Sequence, residues 1–211
     1  YDHVKKILKP CQKTKASKSN VVQKKDKYIE HDHNKNGVID TWYYDSDNNG
    51  KIDTAYVDDD ENGFIDDLHG WDFVNNDNDP MDDNRHGTHC AGTIGAAAND
   101  GHAHVGVAWE VSLMACKFLS GDGWGYTSGA ISAIDFAVAN GARVLSNSWG
   151  GGGYSQSLYD AIVRARDAGV IFVAAAGNSG LDTDSQPNYP SCYDVENLIS
   201  VAHIDRTGLL A

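Results

Sequence analysis

The sequence predicts an α/β domain built on a doubly wound, mainly parallel sheet. Apolar runs typical of buried strands, VSLMACKFL, ARVLSNSWG, VIFVAAA and LISVA, alternate with segments of helical periodicity across residues 111–202. Strands and helices in this alternation are typical of parallel sheets with right-handed crossovers. The chain has 211 residues, 41% of them hydrophobic, which is long enough for one sizeable core.

The elements of this sheet follow in order. Trp71 lies in a run where aromatic and polar residues alternate, as in a short strand. GAISAIDFAVANGA repeats its apolar residues at helical spacing, and Ser128 or Thr127 is predicted to cap that helix. SLYDAIVRARDAG repeats the scheme. Gly141 and Gly169 are predicted to end the two helices.

His86 begins another segment, HGTHCAGTIG, that reads as the start of a tightly packed helix. Thr88 is the expected N-cap. Gly92 and Gly95 leave little side-chain volume, so a neighbouring element can approach closely. A histidine fixed at this position is either a rigidly aimed functional group or a buried structural residue.

Three motifs together resemble the subtilisin-like serine proteases. HGTHCAGTIG resembles the family's histidine motif, and Cys90 gives it the form found in the proteinase K branch, where a free cysteine lies beneath the histidine. SNSWGGGG, residues 146–153, is similar to the substrate-binding strand, and AAAGNSG, residues 174–180, is similar to the oxyanion-hole motif. The resemblance covers roughly residues 58–211 in family order, and it implies a serine endopeptidase.

The resemblance implies a set of site residues. His86 would be the general base, and Asn178 would donate to the oxyanion, its alternative being a left-handed turn residue. The SNSWGGGG and AAAGNSG motifs each lie at the carboxyl end of a predicted strand, where ligands bind in such sheets. The substrate-binding residues would be a strand segment, Ser148, Trp149 and Gly150, and an opposite wall, Gly123 and Gly125.

An acidic repeat precedes this region. DHNKNGVID, DSDNNGKID and DDDENGFID begin 13 residues apart, with oxygen-bearing side chains, a glycine and an isoleucine in fixed columns. This pattern suits calcium, although the usual bidentate glutamate at position twelve is absent, and an Asp of the following repeat is one candidate to complete the shell. The alternative is an array of solvated acidic turns. The candidate metal ligands of the third loop are Asp58, Asp60, Asn62 and Asp66.

Two family motifs depart from the pattern. The serine motif GTSMA is absent from the 211 residues, so the peptidase domain is expected to be incomplete at its C-terminal end and inactive alone. The aspartate motif is also unclear: Asp40 and Asp53 are each followed by threonine but occupy the last column of the acidic repeat. The orienting carboxylate stays unassigned. The alternative function is a pseudoprotease or a calcium-binding adhesion module on the same scaffold.

Charge divides the chain. Its net charge is −13, yet residues 1–28 hold nine lysines against two aspartates and are predicted to be a disordered tail or propeptide remnant. Residues 29–68 form the acidic repeats and residues 69–211 the partial peptidase domain.

The acidic composition argues against nucleic acid as a partner, and the expected partner is a peptide or protein substrate. No run is long enough to span a membrane. The family resemblance implies secretion. The spacing of the four cysteines, Cys11, Cys90, Cys116 and Cys192, does not determine any disulfide pairing.

Overall fold

The computed structural model describes residues 20–25, 28–32, 41–44, 54–57, 64 and 69–209. Within these residues the chain forms nine strands and three helices. The repeat loops and their candidate ligands, the cysteine at position 11 and both alternative catalytic aspartates lie outside the described residues.

The first four strands form an antiparallel sheet in the order β1-β2-β3-β4. They are β1 (Asn20–Lys25), β2 (Tyr28–Asp32), β3 (Thr41–Tyr44) and β4 (Thr54–Val57). Strands β2, β3 and β4 begin at residues 28, 41 and 54, so they recur with the 13-residue period of the acidic repeat. No sequence pattern predicted this sheet, and β1 lies inside the segment, residues 1–28, that was predicted to be a disordered tail.

The predicted parallel strands are confirmed. β5 (Gly70–Asp72) pairs with β6 (Ala115–Lys117), and β7 (Val144–Asn147), β8 (Ile171–Ala175) and β9 (Leu198–Val201) form a second parallel sheet. The described parallel strands thus belong to two sheets. β6 is shorter than the apolar run that predicted it and is half-buried. Its strand partner among the described residues is β5.

Three helices accompany these strands. They are α1 (His86–Gly95), α2 (Thr127–Ala139) and α3 (Gln156–Asp167). Both predicted glycine stops are confirmed, since Gly141 and Gly169 follow α2 and α3 with φ of 77° and 76°. Among the described helices, none combines the length and apolar character needed to cross a membrane.

The helix starts differ from two predictions. Tyr126 occupies the N-cap of α2 with no side-chain bond, so neither Thr127 nor Ser128 caps it. Thr88 lies inside α1 and does not cap it either. By contrast, Ser155 caps α3, its hydroxyl accepting from the backbone N–H of Leu158 at 3.4 Å.

The main core lies between β7–β9 and the two helices α2 and α3. Phe172 of β8 and Ile162 of α3 are both 0% exposed, and small residues around them allow close packing. Leu158 and Ile162 face inward as predicted, and Val163 is partly buried. The carboxyl ends of β7 and β8 therefore emerge from a well-packed support.

Candidate active site

The exits of β7 and β8 meet at one asparagine. The side-chain amide of Asn188 donates to the carbonyl of Ala176 at 3.2 Å. A Cβ atom added to Gly150 would lie 2.9 Å from Asn188 Nδ2, and one added to Gly177 would lie 3.4 Å from it. The structure thus brings the two predicted motifs, residues 146–153 and 174–180, together around Asn188. Sequence reasoning missed this residue, because a single asparagine in a turn-rich segment carries no distinctive pattern.

Tyr193 fixes the loop that follows the first motif. Its hydroxyl donates to the carbonyl of Ser155 at 2.9 Å and accepts from the N–H of the same residue at 3.0 Å. The backbone N–H of Gly151 also donates to the carbonyl of Tyr189 at 3.0 Å. Burial raises the pKa of the Tyr193 phenol, which keeps the hydroxyl a donor. The glycine-rich loop is anchored at both ends.

Asn178 lies on an exposed bend after β8. The positive-φ residues of the described chain include Gly177 but not Asn178, so the alternative of a left-handed turn asparagine is wrong. Gly177, with φ of 113°, makes the turn instead. Within the described part of the chain, the Asn178 amide is recorded in no hydrogen bond, so it is available to a ligand.

The segment 148–150 presents its backbone outward while one side chain packs inward. Ser148 and Gly150 are exposed, whereas Trp149 is half-buried against the core. The Trp149 indole N–H donates to Asn147 Oδ1 at 3.0 Å, and its ring meets Phe118 edge-on at 5.0 Å between centroids. This contact links the end of β7 to the loop after β6.

That loop contains the two glycines predicted to form the opposite wall. Gly123 has φ of 84° and open space around it. Glycine is required at position 125 for a different reason, because a Cβ atom there would clash with the carbonyl oxygen of Phe118. The missing side chain of Gly125 therefore allows this close approach of the Phe118 backbone. Asp122 steadies the turn, and the Ser120 hydroxyl and Trp124 N–H lower the pKa of its carboxyl.

His86 is the first residue of α1, and its side chain is exposed. A buried structural histidine is therefore excluded. Its Nε2 atom lies 3.9 Å from the thiol of Cys90, one helical turn further on, as the family resemblance implied. Among the described residues, the hydrogen bonds and ion pairs place no carboxylate on the imidazole.

Asp82 caps the helix of His86. Its Oδ2 accepts from the Thr88 N–H at 2.7 Å, and its Oδ1 accepts from the N–H groups of Asn84 and Arg85, both at 2.9 Å. Burial alone would raise the pKa of this carboxyl, but the Thr88 and other hydrogen bonds outweigh it and lower the pKa. An acidic side chain also suits the positive end of a helix.

A buried ion pair supports the same segment. Lys117 of β6 lies 2.7 Å from the carboxylate of Asp72, which is 1% exposed, and 3.6 Å from that of Asp83. Although burial opposes both charges, the pairing lowers the pKa of Asp72 and raises that of Lys117. The side chain of Asn84 then donates to the carbonyl of Gly121 at 2.7 Å. Three consecutive residues, 82–84, thus hold α1, β6 and the 120–125 loop together.

No group of three or more potential metal-binding side chains (His, Cys, Asp or Glu) occurs in the described ranges. The calcium ligands predicted from the repeat, Asp58, Asp60, Asn62 and Asp66, fall outside those ranges. His102 and His104 are exposed loop residues.

The family model "Subtilase family" matches residues 17–211. Thermitase from Thermoactinomyces vulgaris is 40% identical over 137 residues, 65% of this chain and 47% of thermitase. Thermophilic serine proteinase from Bacillus sp. (strain AK1) is 38% identical over 144 residues, 68% of this chain and 35% of that protein. Subtilisin DY from Bacillus licheniformis is 40% identical over 137 residues, 64% of this chain and 49% of that protein.

The aligned part of the chain thus spans about half or less of each of these relatives. The family match begins at residue 17, upstream of residue 58, where the sequence resemblance began, and it runs through the acidic repeats. On this match, the chain belongs to the subtilase family.

Proposed function

We propose that this chain supplies the histidine and oxyanion-hole part of a subtilisin-like serine endopeptidase. The observation that supports it most directly is the meeting of two strand exits at Asn188, with an outward-facing backbone segment on one and a free carboxamide near the other. Its relatives named thermitase, serine proteinase and subtilisin agree with this chemistry.

Each residue would perform one step of amide hydrolysis. His86 takes the proton of a serine hydroxyl and returns it to the leaving amine. Asn178 donates a hydrogen bond to the oxygen of the tetrahedral intermediate, where negative charge develops. The backbone of residues 148–150 pairs with an extended peptide, as in other cases of strand addition.

The substrate preference we propose is for apolar or aromatic side chains. The strand segment and the 121–125 loop contribute glycines and two tryptophans, and the loop's one charged side chain, Asp122, accepts hydrogen bonds from Ser120 and Trp124. An apolar pocket gains from desolvating an apolar side chain.

A fluorophosphonate probe tests the activity. The polypeptide translated from the complete reading frame should be labelled on serine, and the 211-residue chain alone should not be. H86A should abolish labelling, whereas the control H102A, on an exposed loop, should retain it. A complete reading frame that encodes no GTSMA-type segment, or a product that resists labelling, would support the pseudoprotease alternative instead.

The oxyanion role has its own test in the same full product. N178A should lower kcat by about 100- to 1,000-fold, because one preorganised donor is lost. KM should change much less, since the bond forms mainly in the transition state. If kcat/KM falls by the same factor but only because KM rises, with kcat unchanged, the assignment of Asn178 to the oxyanion is contradicted.

Calcium is proposed as a structural cofactor of the acidic repeats. Asp58, Asp60, Asn62 and Asp66 supply the hard oxygen ligands that calcium prefers, and strands recurring at the same 13-residue period give each loop a regular frame. Calcium should raise the thermal midpoint and EDTA should reverse it. D60N should weaken binding measured by calorimetry, whereas the control D160N on α3 should not.

Export from the cell is proposed from the family resemblance. Secretion of the complete product by its native host, detected in culture supernatant with a cytosolic marker absent, would support it. Retention with the cell pellet would contradict it.

A further inference from the structure

Arg85, the residue immediately before His86, is poorly suited to its position for folding alone. Its backbone is left-handed, with φ of 80° and ψ of −16°, a conformation that disfavours any residue with a Cβ. It also places a cation at the N-terminal end of α1, where the helix dipole favours an anion. Glycine would suit this backbone conformation, and a neutral or acidic side chain would suit the positive end of the helix dipole.

The Arg85 guanidinium forms no compensating ion pair with the side chains that the structure describes. Arg85 is exposed, and within the described residues its side chain is recorded in no hydrogen bond or salt bridge. Its acidic neighbours are already engaged, since Asp82 accepts three backbone N–H groups and Asp83 faces Lys117. Arg164 and Arg166, in contrast, each pair with an aspartate.

Arg85 is also adjacent in sequence to two residues of the proposed peptide site. It follows Asn84, whose side chain donates to the carbonyl of Gly121 in the 120–125 loop, and it precedes His86, the proposed base. Residues that break local rules without a structural gain tend to be functional.

We propose that Arg85 binds the carboxylate of an acidic substrate side chain next to the scissile bond. The planar guanidinium can hold a carboxylate through two parallel N–H···O bonds, and its charge is free to do so. This inference rests on the proposed endopeptidase function and adds a substrate class to it: peptides with an apolar anchor followed by Asp or Glu.

The test measures binding to the 211-residue chain. Two blocked octapeptides carry one phenylalanine as the only large apolar residue, followed directly by Glu in one and Gln in the other. The Glu peptide should bind about two- to fivefold more tightly at low salt, the range of a solvent-exposed ion pair, and the ratio should fall toward one in 1 M NaCl. The Arg85 Nε–H resonance should shift with the Glu peptide and not with the Gln peptide.

Variants identify the residue. R85Q and R85G should bring the Glu/Gln ratio to about one, and R85K should keep part of it. R143Q is the matched control, because Arg143 is exposed beside the opposite end of β7, and it should leave the ratio unchanged. R85G should fold at least as well as the parent, since glycine accepts φ of 80°.

Two failures are distinguishable. If both peptides bind equally well, or the ratio survives in R85Q, the role of Arg85 is wrong while the groove stands. If neither peptide binds at any concentration tested, the proposed groove and the inference are both overturned.

Discussion

The two parallel sheets are held in different ways. β7–β9 rests on an apolar core of α2 and α3 around Phe172. β5–β6 also packs aromatic rings, including those of Trp71 and the neighbouring Phe73, and it carries in addition a buried charge pair between Asp72 and Lys117. The strand exits that would bind the peptide belong to the first, whereas the segment before His86 is tied to the second.

This difference assigns separate tasks to the two supports. An apolar core is tolerant of pH and salt, and it fixes the backbone that a substrate would pair with. A charge pair is directional, so it can set the position of one short segment, but it depends on the ionisation of its members. Perturbing each support should therefore have distinct consequences.

The largest effect is expected at the apolar support. Phe172→Ala should lower the free energy of unfolding by about 3–5 kcal/mol, because it leaves a cavity in a fully buried site. Urea unfolding measures this. Ile171→Ala is the matched control on the same strand, where the side chain is 43% exposed, and it should lose clearly less. Equal losses would show that the core is not organised around Phe172.

The second effect is expected at the ionic support. Asp72→Asn should destabilise by about 3 kcal/mol, since it leaves the Lys117 ammonium buried without its main partner. Hydrogen exchange at Val74 and Asn75, whose N–H groups bond Asp72, should accelerate. The control Asp83→Asn, 53% exposed at 3.6 Å, should change stability by less than about 1 kcal/mol.

The same pair predicts a pH dependence. The pKa of Asp72 is lowered from 3.8, so its contribution to stability is present above that value and is lost as pH falls through the folded pKa. The pKa of Lys117 is raised from 10.5, so its contribution persists to that pH and is lost above it. The stability difference between parent and Asp72→Asn should accordingly be constant across neutral pH and shrink in acid. A difference that is insensitive to acid would contradict the ionic support.

A smaller effect is expected where the apolar support meets the groove. Tyr193→Phe should cost about 1–2 kcal/mol, because the Ser155 N–H and carbonyl lose their shared partner. Tyr159→Phe is the control, because the Tyr159 hydroxyl forms no hydrogen bond with the described residues. Thermal unfolding compares the two variants. Equal midpoints would show that the Tyr193 hydroxyl does not stabilise the loop at Ser155.

The smallest effect is expected on the outer surface of the apolar support. Arg164 of α3 and Asp135 of α2 form a two-point ion pair, but both are about half exposed. Asp135→Asn should cost about 0.2–1 kcal/mol, and 1 M NaCl should remove most of the difference. A salt-independent loss would mean that the side chain acts through packing.

Sequence patterns predicted the apolar support better than the ionic one. Helical spacing located α2 and α3, and the two glycine stops fell at the predicted positions, because local periodicity reports which face is buried. The Asp72–Lys117 pair joins residues 45 positions apart. No local pattern reports such a pair, which became visible only when β5 and β6 were placed side by side.

The residues of the candidate site likewise fall into those predicted from the sequence and those found only in the structure. Its motifs were predicted by resemblance, while Asn188, Asp82 and Arg85 emerged from the geometry. The cap of α1 was assigned to Thr88 because a threonine followed the histidine, yet an aspartate six residues earlier supplies the bond. The antiparallel sheet was missed because glycine- and aspartate-rich loops dominate the pattern and the strands between them have only four or five residues.

The thirteen-residue strand period has a consequence for how this protein tolerates length changes. Each repeat contributes one strand, and each strand reverses the direction of the backbone. Gaining or losing a single unit would therefore reverse the direction in which the backbone leaves this sheet, whereas a change of two units would preserve that direction. Natural variants of the N-terminal region are expected to differ by 26 residues more readily than by 13.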